Sequence, residues 1–156
     1  MLHKSKIWRG SFVCVFNKGI TKVLMLQRNW EKKKKEGKIW ERRSMWGNVG
    51  GSVEKGETPK QAVIREAGEE IGLKLNQKAV IAAFTRDHRS AEKPYTVHFY
   101  ATSIEESTKI KLNDESCSYK WFSTKKLPSN MLDKKEDVIK CMHIAIAKIG
   151  KSSASR

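Results

Sequence analysis

The chain has 156 residues, of which 38% are hydrophobic and 31% are charged. This length suffices for one domain with a sizeable core, and the composition argues against intrinsic disorder. No apolar run is long enough to span a bilayer, and residues 1–10 lack the apolar region of a secretory signal. We therefore expect a single domain over residues 1–150, followed by a basic, disordered tail over 151–156.

The three cysteines are an odd number, lie far apart in the sequence and have no zinc-ligand spacing: Cys14, Cys117 and Cys141. Such cysteines are typical of reduced thiols in a reducing compartment and do not indicate a disulfide framework. We therefore expect a cytoplasmic protein without a membrane partner.

The net charge is +15, from 32 lysines and arginines against 17 acidic residues. Such an excess favours polyanionic partners such as nucleotides or RNA, although lysines that only keep the surface soluble would give the same value. Part of the excess lies in residues 30–43, for which we predict a long exposed loop.

The first elements in chain order form a predicted hairpin. Residues 12–16 are β-branched and aromatic and predict a buried strand, and residues 23–27 predict its partner. Residues 17–19 supply the turn between them. Residues 45–49 predict a short strand that leads into two glycines.

The clearest helix is predicted to begin after Thr58. Pro59 suits the first helical position, and Gln61 lies where a capping box places Glu or Gln. Gly72 supplies a stop signal after Ile71.

Three further strands are predicted over residues 79–85, 96–102 and 119–122. A last amphipathic helix follows from apolar residues at helical spacing: Val138, Met142, Ala145, Ile146 and Ile149. Strands interspersed with two helices predict an α/β or mixed α+β layered domain.

Three carboxylates share one face of the first helix. Glu66, Glu69 and Glu70 are spaced by three and four residues, so their side chains occupy an arc of about 100°. A solvated surface helix would explain a lone group of this kind. A hard divalent cation would also relieve the repulsion, since carboxylates are natural ligands of Mg²⁺ or Mn²⁺, which bridge to substrate phosphates.

The residues around the carboxylates strengthen the second interpretation. Gly50 and Gly51 permit close approach of the backbone, so that a main-chain carbonyl can join a metal shell. Arg65 can pair with Glu57 through two hydrogen bonds, which would lock the preceding loop onto the helix.

The segment 50–73 as a whole follows the pattern G-x5-E-x7-R-E-U-x-E-E-x-G-U, where U is a bulky or aliphatic residue. At average residue usage, its seven fixed positions coincide by chance on the order of once in 10⁸ windows. The pattern resembles the signature of the Nudix hydrolases, with Ala67 smaller than the residue usual at its position. We call residues 50–73 the box segment.

The resemblance implies a mixed β-sheet between helices and a bound Mg²⁺ or Mn²⁺. It implies that Glu66, Glu69 and Glu70 bind metal or serve as the base, and that the Gly50 carbonyl is a further ligand. It assigns structural roles to Gly51, Glu57, Arg65 and Gly72.

Relatives of the MutT type place one more glutamate before a late strand that contains a tryptophan. Glu115 precedes the stretch 119–122 in the matching place, followed by Leu127 and Pro128. Glu115 therefore resembles an extra metal ligand or base, with a plain loop carboxylate beside Asp114 as the alternative.

The substrate implied by the resemblance is a nucleoside triphosphate, oxidised forms included, cut to a nucleoside monophosphate and pyrophosphate. Pro94 and Tyr95 lie too far from the box segment to match the markers of ADP-ribose or diadenosine-polyphosphate hydrolases. Two alternatives remain: an RNA 5′-end pyrophosphohydrolase or decapping-type enzyme, and a non-catalytic protein that binds a ligand or nucleic acid.

Four residues outside the box segment are candidates for substrate binding. Trp46 and Phe84 could stack on a nucleobase, although core packing is the favoured interpretation for Phe84. Arg28, at a strand end, and Arg86, in a polar run expected to follow a strand, could contact phosphate.

Overall fold

The computed structural model describes residues 7–28, 33–35, 38–40, 45–89 and 92–150. The strands are β1 (Trp8–Asn17), β2 (Lys22–Arg28), β3 (Lys33–Lys35), β4 (Lys38–Trp40), β5 (Trp46–Gly47), β6 (Val49–Ser52), β7 (Ile81–His88), β8 (Tyr95–Ile104) and β9 (Ser116–Ser123). The helices are α1 (Pro59–Ile71) and α2 (Lys135–Ala145), and α2 continues into a π-helical turn at Ile146–Gly150. A 3₁₀ turn lies at Gln77–Ala79. The expected tail, 151–156, lies outside the described residues.

Strand β1 is the centre of a mixed, seven-stranded sheet. One edge of β1 pairs in parallel with β8, from Trp8 opposite Tyr95 to Asn17 opposite Ile104. Its other edge pairs antiparallel with β6 and then with β2. Strand β7 continues the sheet beyond β8, and β5 and β9 pair with β2. The predicted mixed architecture is confirmed.

The first helix forms as the sequence predicts. The Thr58 side chain accepts a hydrogen bond from the Gln61 backbone, and the Gln61 side chain accepts one from the Thr58 backbone. Pro59 occupies the first turn, and Gly72 ends the helix in the left-handed conformation with φ 68°. Its backbone N–H donates to the Ala67 carbonyl, which closes the last turn.

The two helices cover opposite faces of the sheet and enclose two separate cores. The α1 core contains three residues on one face of the helix, packed on residues of β1, β2 and β6: Val63, Ala67, Ile71, Val13, Val15, Leu24, Leu26 and Val49. The α2 core contains residues from the opposite faces of β1 and β2, packed on residues of α2: Cys14, Phe16, Val23, Met25, Val138, Cys141 and Ala145. Side chains therefore alternate between the two cores along β1.

Two of the three cysteines lie together in the fold. Cys14 and Cys141 are far apart in the sequence, but they meet in the α2 core, where both are buried. A hydrogen bond with Cys141 and burial raise the pKa of the Cys14 thiol well above its usual value. The three cysteines are all free thiols, as expected.

Two elements differ from the prediction made from the sequence. Within residues 30–43, predicted as a loop, β3 and β4 pair antiparallel in a small separate ribbon. The polar run expected to follow a strand instead lies mostly inside β7, which extends to His88. Of the helices in the described part of the chain, neither is long and apolar enough to cross a membrane.

Candidate active site

Arg65 fastens the loop before α1 to the helix. Its Nε and Nη2 each donate to one oxygen of Glu57 at 2.9 Å, the two-bond pair expected from the sequence. The same Nη2 donates to the Ser52 carbonyl at 3.1 Å. Hydrogen bonding to Arg65 holds the pKa of Glu57 below its ordinary value. The loop is therefore tied to the helix at both ends.

The two glycines let β6 pass directly against the helix carboxylates. A Cβ atom at Gly51 would lie 2.7 Å from Glu66 Oε1, so a side chain there would displace that carboxylate from its place. Gly50 has φ 155°, and a Cβ atom there would lie 2.3 Å from the Ser11 carbonyl oxygen. Close approach of backbone and carboxylate is thus built into the segment.

Glu70 is the most deeply buried of the acidic residues in the box segment, with 1% of its surface exposed. Its Oε1 accepts a hydrogen bond from the Gly50 N–H at 3.2 Å, whereas its Oε2 has no hydrogen-bond partner among the described residues. Burial raises the pKa of Glu70 to about 8, opposed by Arg28 and reinforced by the neighbouring Glu66. A buried carboxylate oxygen without a hydrogen bond is unusual and calls for a ligand.

Arg28 lies close to both Glu70 and Glu115. Its Nη1 lies 3.6 Å from Glu70 Oε2 and 3.8 Å from Glu115 Oε2. Glu115 is 61% exposed on its side chain, so it approaches the buried acid from the solvent side. Glu70 of α1 and Glu115, just before β9, thus share one guanidinium.

Glu69 differs from its two helix neighbours. Its side chain is 55% exposed and lies 3.2 Å from Arg65 Nη1, whereas that of Glu66 is only 13% exposed. The predicted arc of carboxylates therefore runs from solvent at Glu69 to the interior at Glu70.

The described residues contain no preformed group of three acidic, histidine or cysteine side chains that would hold a metal ion. The donors nevertheless fit a hard cation, because the buried Glu70 carboxyl lies beside Glu66, contacts the Gly50 backbone through Oε1 and has an Oε2 without a hydrogen bond. Hard divalent cations are bound by such oxygen donors.

The aromatic candidates lie on the other face of the sheet. Phe84 stacks on Phe99 with 4.5 Å between ring centroids, and Trp46 packs edge-on against Phe122 at 4.9 Å. Both candidates pack against the α2 core. The structure therefore does not bring them together with the carboxylates of α1.

The Arg86 guanidinium also contacts α2. Its Nη1 donates to Asp137 Oδ2 at 2.7 Å, and its Nη2 donates to Oδ1. This pair joins β7 to the helix, so the guanidinium is already occupied. Its placement gives no support to a phosphate contact.

One polar pair was not predicted from the sequence. The Asn48 backbone and side-chain N–H groups donate to Asp133 Oδ2 at 2.9 and 3.0 Å, while Asn48 Oδ1 is buried without a hydrogen-bond partner. Burial raises the pKa of Asp133. No sequence signal links the two residues, because they lie 85 positions apart.

Comparison with known proteins places this geometry in a family. The NUDIX domain model matches residues 7–142. The asymmetrical bis(5′-nucleosyl)-tetraphosphatase of Mus musculus is 29% identical over 79 residues, which are 49% of this chain and 54% of that protein. The chain thus spans about half the length of the curated relatives it matches.

Two solved structures show the same fold. The MutT/nudix family protein of Enterococcus faecalis superposes with a TM-score of 0.71 at 19% identity, over 96% of this chain and 66% of that one. The MutT protein of Methanosarcina mazei Go1 superposes with a TM-score of 0.68 at 20% identity, over 94% of this chain and 100% of that one. Since the family model matches 136 consecutive residues and includes the whole box segment, the chain belongs to the Nudix family of hydrolases.

Proposed function

We propose that this Nudix protein hydrolyses a pyrophosphate bond in a nucleotide with the help of Mg²⁺ or Mn²⁺. The observation that carries the proposal is the buried Glu70 carboxylate, which keeps one oxygen without a hydrogen bond beside Glu66 and Arg28. Burial of an acid with an open acceptor is unfavourable unless a ligand completes it.

The proposed metal ligands are Glu66 and Glu70, with Glu69, Glu115 and the Gly50 carbonyl as further donors. A bound divalent cation would neutralise phosphate charge and increase the acidity of a water molecule. A carboxylate not engaged with metal can orient that water or accept its proton, and Glu115 is suited to this because it reaches the site from solvent.

Arg28 is the proposed contact for substrate phosphate. Its guanidinium lies between Glu70 and Glu115 at distances longer than a hydrogen bond, and its side chain is 18% exposed. Once a cation balances the two acids, the guanidinium is free to donate two parallel hydrogen bonds to a phosphate.

A nucleoside triphosphate, oxidised forms included, is the first proposed substrate, with a nucleoside monophosphate and pyrophosphate as products. The box segment and the late Trp121–Phe122 and Leu127–Pro128 pairs support it through their MutT-type resemblance.

We also propose a cytoplasmic location. The free thiols of Cys14, Cys117 and Cys141 support it, because thiols stay reduced in that compartment.

A dinucleoside tetraphosphate is the second proposed substrate. It is favoured by the match to the mouse tetraphosphatase, although the sequence lacks the tyrosine marker at its usual spacing. Both candidates contain the same scissile linkage, so the carboxylate site does not discriminate between them.

A substrate panel tests the proposal. Nucleoside triphosphates, their oxidised forms, dinucleoside polyphosphates, sugar nucleotides and 5′-triphosphate RNA are incubated with Mg²⁺ or Mn²⁺, and the products are separated by chromatography. We expect cleavage of a triphosphate to monophosphate and pyrophosphate, loss of activity with EDTA and recovery with excess Mg²⁺. Absence of cleavage across the panel with either metal would refute the proposal and favour a non-catalytic, ligand-binding protein.

A further inference from the structure

Three aromatic side chains form a continuous row at one end of the sheet. Trp8 begins β1 and lies opposite Tyr95 of β8, and Tyr95 lies opposite His88 of β7. The Trp8 and Tyr95 rings meet edge-on with centroids 6.4 Å apart, and the Tyr95 and His88 rings stack at 4.3 Å. We call these three residues the aromatic row.

The indole of Trp8 lies flat against its own strand. A Cβ atom at Gly10 would come within 2.4 Å of the six-membered ring. The indole therefore occupies the space that a side chain at position 10 would fill. The Nε1 donates to Ser52 Oγ at 2.9 Å, which fixes the orientation of the ring. Because 45% of Trp8 is exposed, we infer that the face of the indole turned away from Gly10 is open to solvent.

The aromatic row is not part of the hydrophobic core. Its three residues belong to neither the α1 core nor the α2 core, and Tyr95 and His88 are only half-buried. A large ring held in place at the surface contributes little to stability compared with a buried one. It does offer a preorganised flat surface, which lowers the entropic cost of stacking on a planar partner.

Cations outnumber acids among the described, exposed residues around the row. Arg89, next to His88, is 81% exposed and lies 3.9 Å from the exposed Asp87. The other exposed charges nearby are Arg9, Lys93 and Glu92, which makes three cations against two acids. The chain as a whole carries a net charge of +15. Exposed rings that stack on bases, combined with cations that contact phosphates, are the features of surfaces that bind single-stranded nucleic acid.

We propose that the aromatic row binds the unpaired bases of a single-stranded polynucleotide. This proposal goes beyond the proposed hydrolysis and does not depend on it. The row starts at the box segment, since Trp8 bonds to the Ser52 side chain and Arg65 bonds to the Ser52 carbonyl.

Fluorescence anisotropy with a short labelled oligouridine tests the row. We expect Trp8→Ala to raise the Kd about tenfold, the effect of losing one stacked base. The matched control is Tyr119→Ala, which removes another exposed aromatic residue (41% exposed), on β9. It should bind as the unmodified protein does. A blunt duplex of the same length should bind more weakly than the single strand, because its bases are already paired.

Two further variants separate the possible causes of a change. Trp8→Phe keeps an aromatic ring and should retain most of the binding, so a loss in Trp8→Ala with unchanged circular dichroism is a loss of stacking. Glu70→Gln should bind the oligouridine normally even where it hydrolyses nothing, which keeps failure of the row distinct from failure of the proposed function. Equal affinity of Trp8→Ala and the unmodified protein, or equal affinity for duplex and single strand, would overturn the proposal.

Discussion

Each helix buries one carboxylate against the sheet, and the two carboxylates are satisfied in opposite ways. Asp137 of α2 is 4% exposed, and both of its oxygens accept hydrogen bonds from Arg86. Glu70 of α1 is 1% exposed, yet one of its oxygens has no hydrogen bond within the described part of the chain, and Arg28 lies 3.6 Å from it. The incomplete pairing of the buried acid therefore distinguishes the proposed site, since both acids are buried.

The contrast between Glu70 and Asp137 also explains why we expect different roles for Arg28 and Arg86. Arg86 is paired with Asp137 through two hydrogen bonds and connects β7 to α2. Arg28 lies between Glu70 and Glu115 at distances beyond hydrogen bonding, so it balances charge without completing either acid. We expect substitutions on the α1 side to change activity, and substitutions at the Arg86–Asp137 pair to change stability.

Glu70→Gln should show the largest effect. We expect turnover to fall by about 10³-fold, because the neutral amide can neither bind a hard cation as a carboxylate does nor accept a proton. The stability of the metal-free protein should change little near pH 7, since burial raises the pKa of Glu70 to about 8 and its carboxyl is already largely protonated. Steady-state kinetics on the best substrate and urea unfolding measure the two effects.

The matched control is Glu136→Gln, on the exposed first turn of α2. It makes the same chemical change away from the site and should leave turnover and stability as they are. Near-normal turnover of Glu70→Gln would remove the basis for treating the two buried acids differently.

Asp137→Asn should have the second-largest effect, on stability. We expect a loss of about 3 kcal/mol in the free energy of unfolding, because the change breaks a largely buried ion pair and leaves Arg86 uncompensated. Turnover per folded molecule should remain close to normal. Urea unfolding checks the first expectation, and a loss under about 0.5 kcal/mol, the size of an ordinary surface substitution, would contradict it.

Magnesium should stabilise the protein through Glu70 and not through Asp137. At a tenfold excess over its Kd, a ligand that binds only the folded state adds about 1.4 kcal/mol to the free energy of unfolding. We expect this gain in the unmodified protein and in Asp137→Asn, and its loss in Glu70→Gln. Thermal unfolding with and without Mg²⁺ measures it, and an equal gain in all three proteins would place the cation elsewhere.

The smallest expected effect concerns the pair of Glu57 with Arg65. Hydrogen bonding to Arg65 lowers the pKa of Glu57 in the folded state below its ordinary value of 4.5. The stability that this pair contributes is therefore fully present above pH 4.5 and is lost as the pH falls through the lowered pKa. Glu57→Gln should cost about 1 kcal/mol at neutral pH and nothing at low pH.

Unfolding of Glu57→Gln and the unmodified protein across this pH range measures the difference between them. A difference that stays constant into the acid range would show that the charge of Glu57 is not the cause.

The sequence predicts α1 and its surroundings in detail because their signals are local. Thr58, Gln61 and Gly72 define the ends of the helix within a few residues, and the spacing of Val63 and Ala67 identifies the buried face. The pairing of Arg65 with Glu57 follows from the same short segment.

What the sequence could not predict depends on long-range pairing. Arg86 was expected to contact phosphate, but its partner Asp137 lies 51 positions away on another element. The unequal exposure of Glu69 and Glu70 also escapes a helical wheel, because it depends on β6 and β2 packing beside the helix. Pattern and spacing identify which residues share a face, whereas burial and charge partners require the assembled sheet.

The parallel pairing of β1 with β8 has a consequence for synthesis of the chain on the ribosome. Strand β1 can acquire β2, β6 and the packing of α1 early, but its other edge stays unpaired until residues 95–104 leave the exit tunnel. During that interval a nascent chain exposes an unpaired strand edge that includes the apolar run 12–16, the kind of surface that recruits chaperones or neighbouring chains. The centre of the sheet that carries the box segment is thus completed only after the box segment itself has been synthesised.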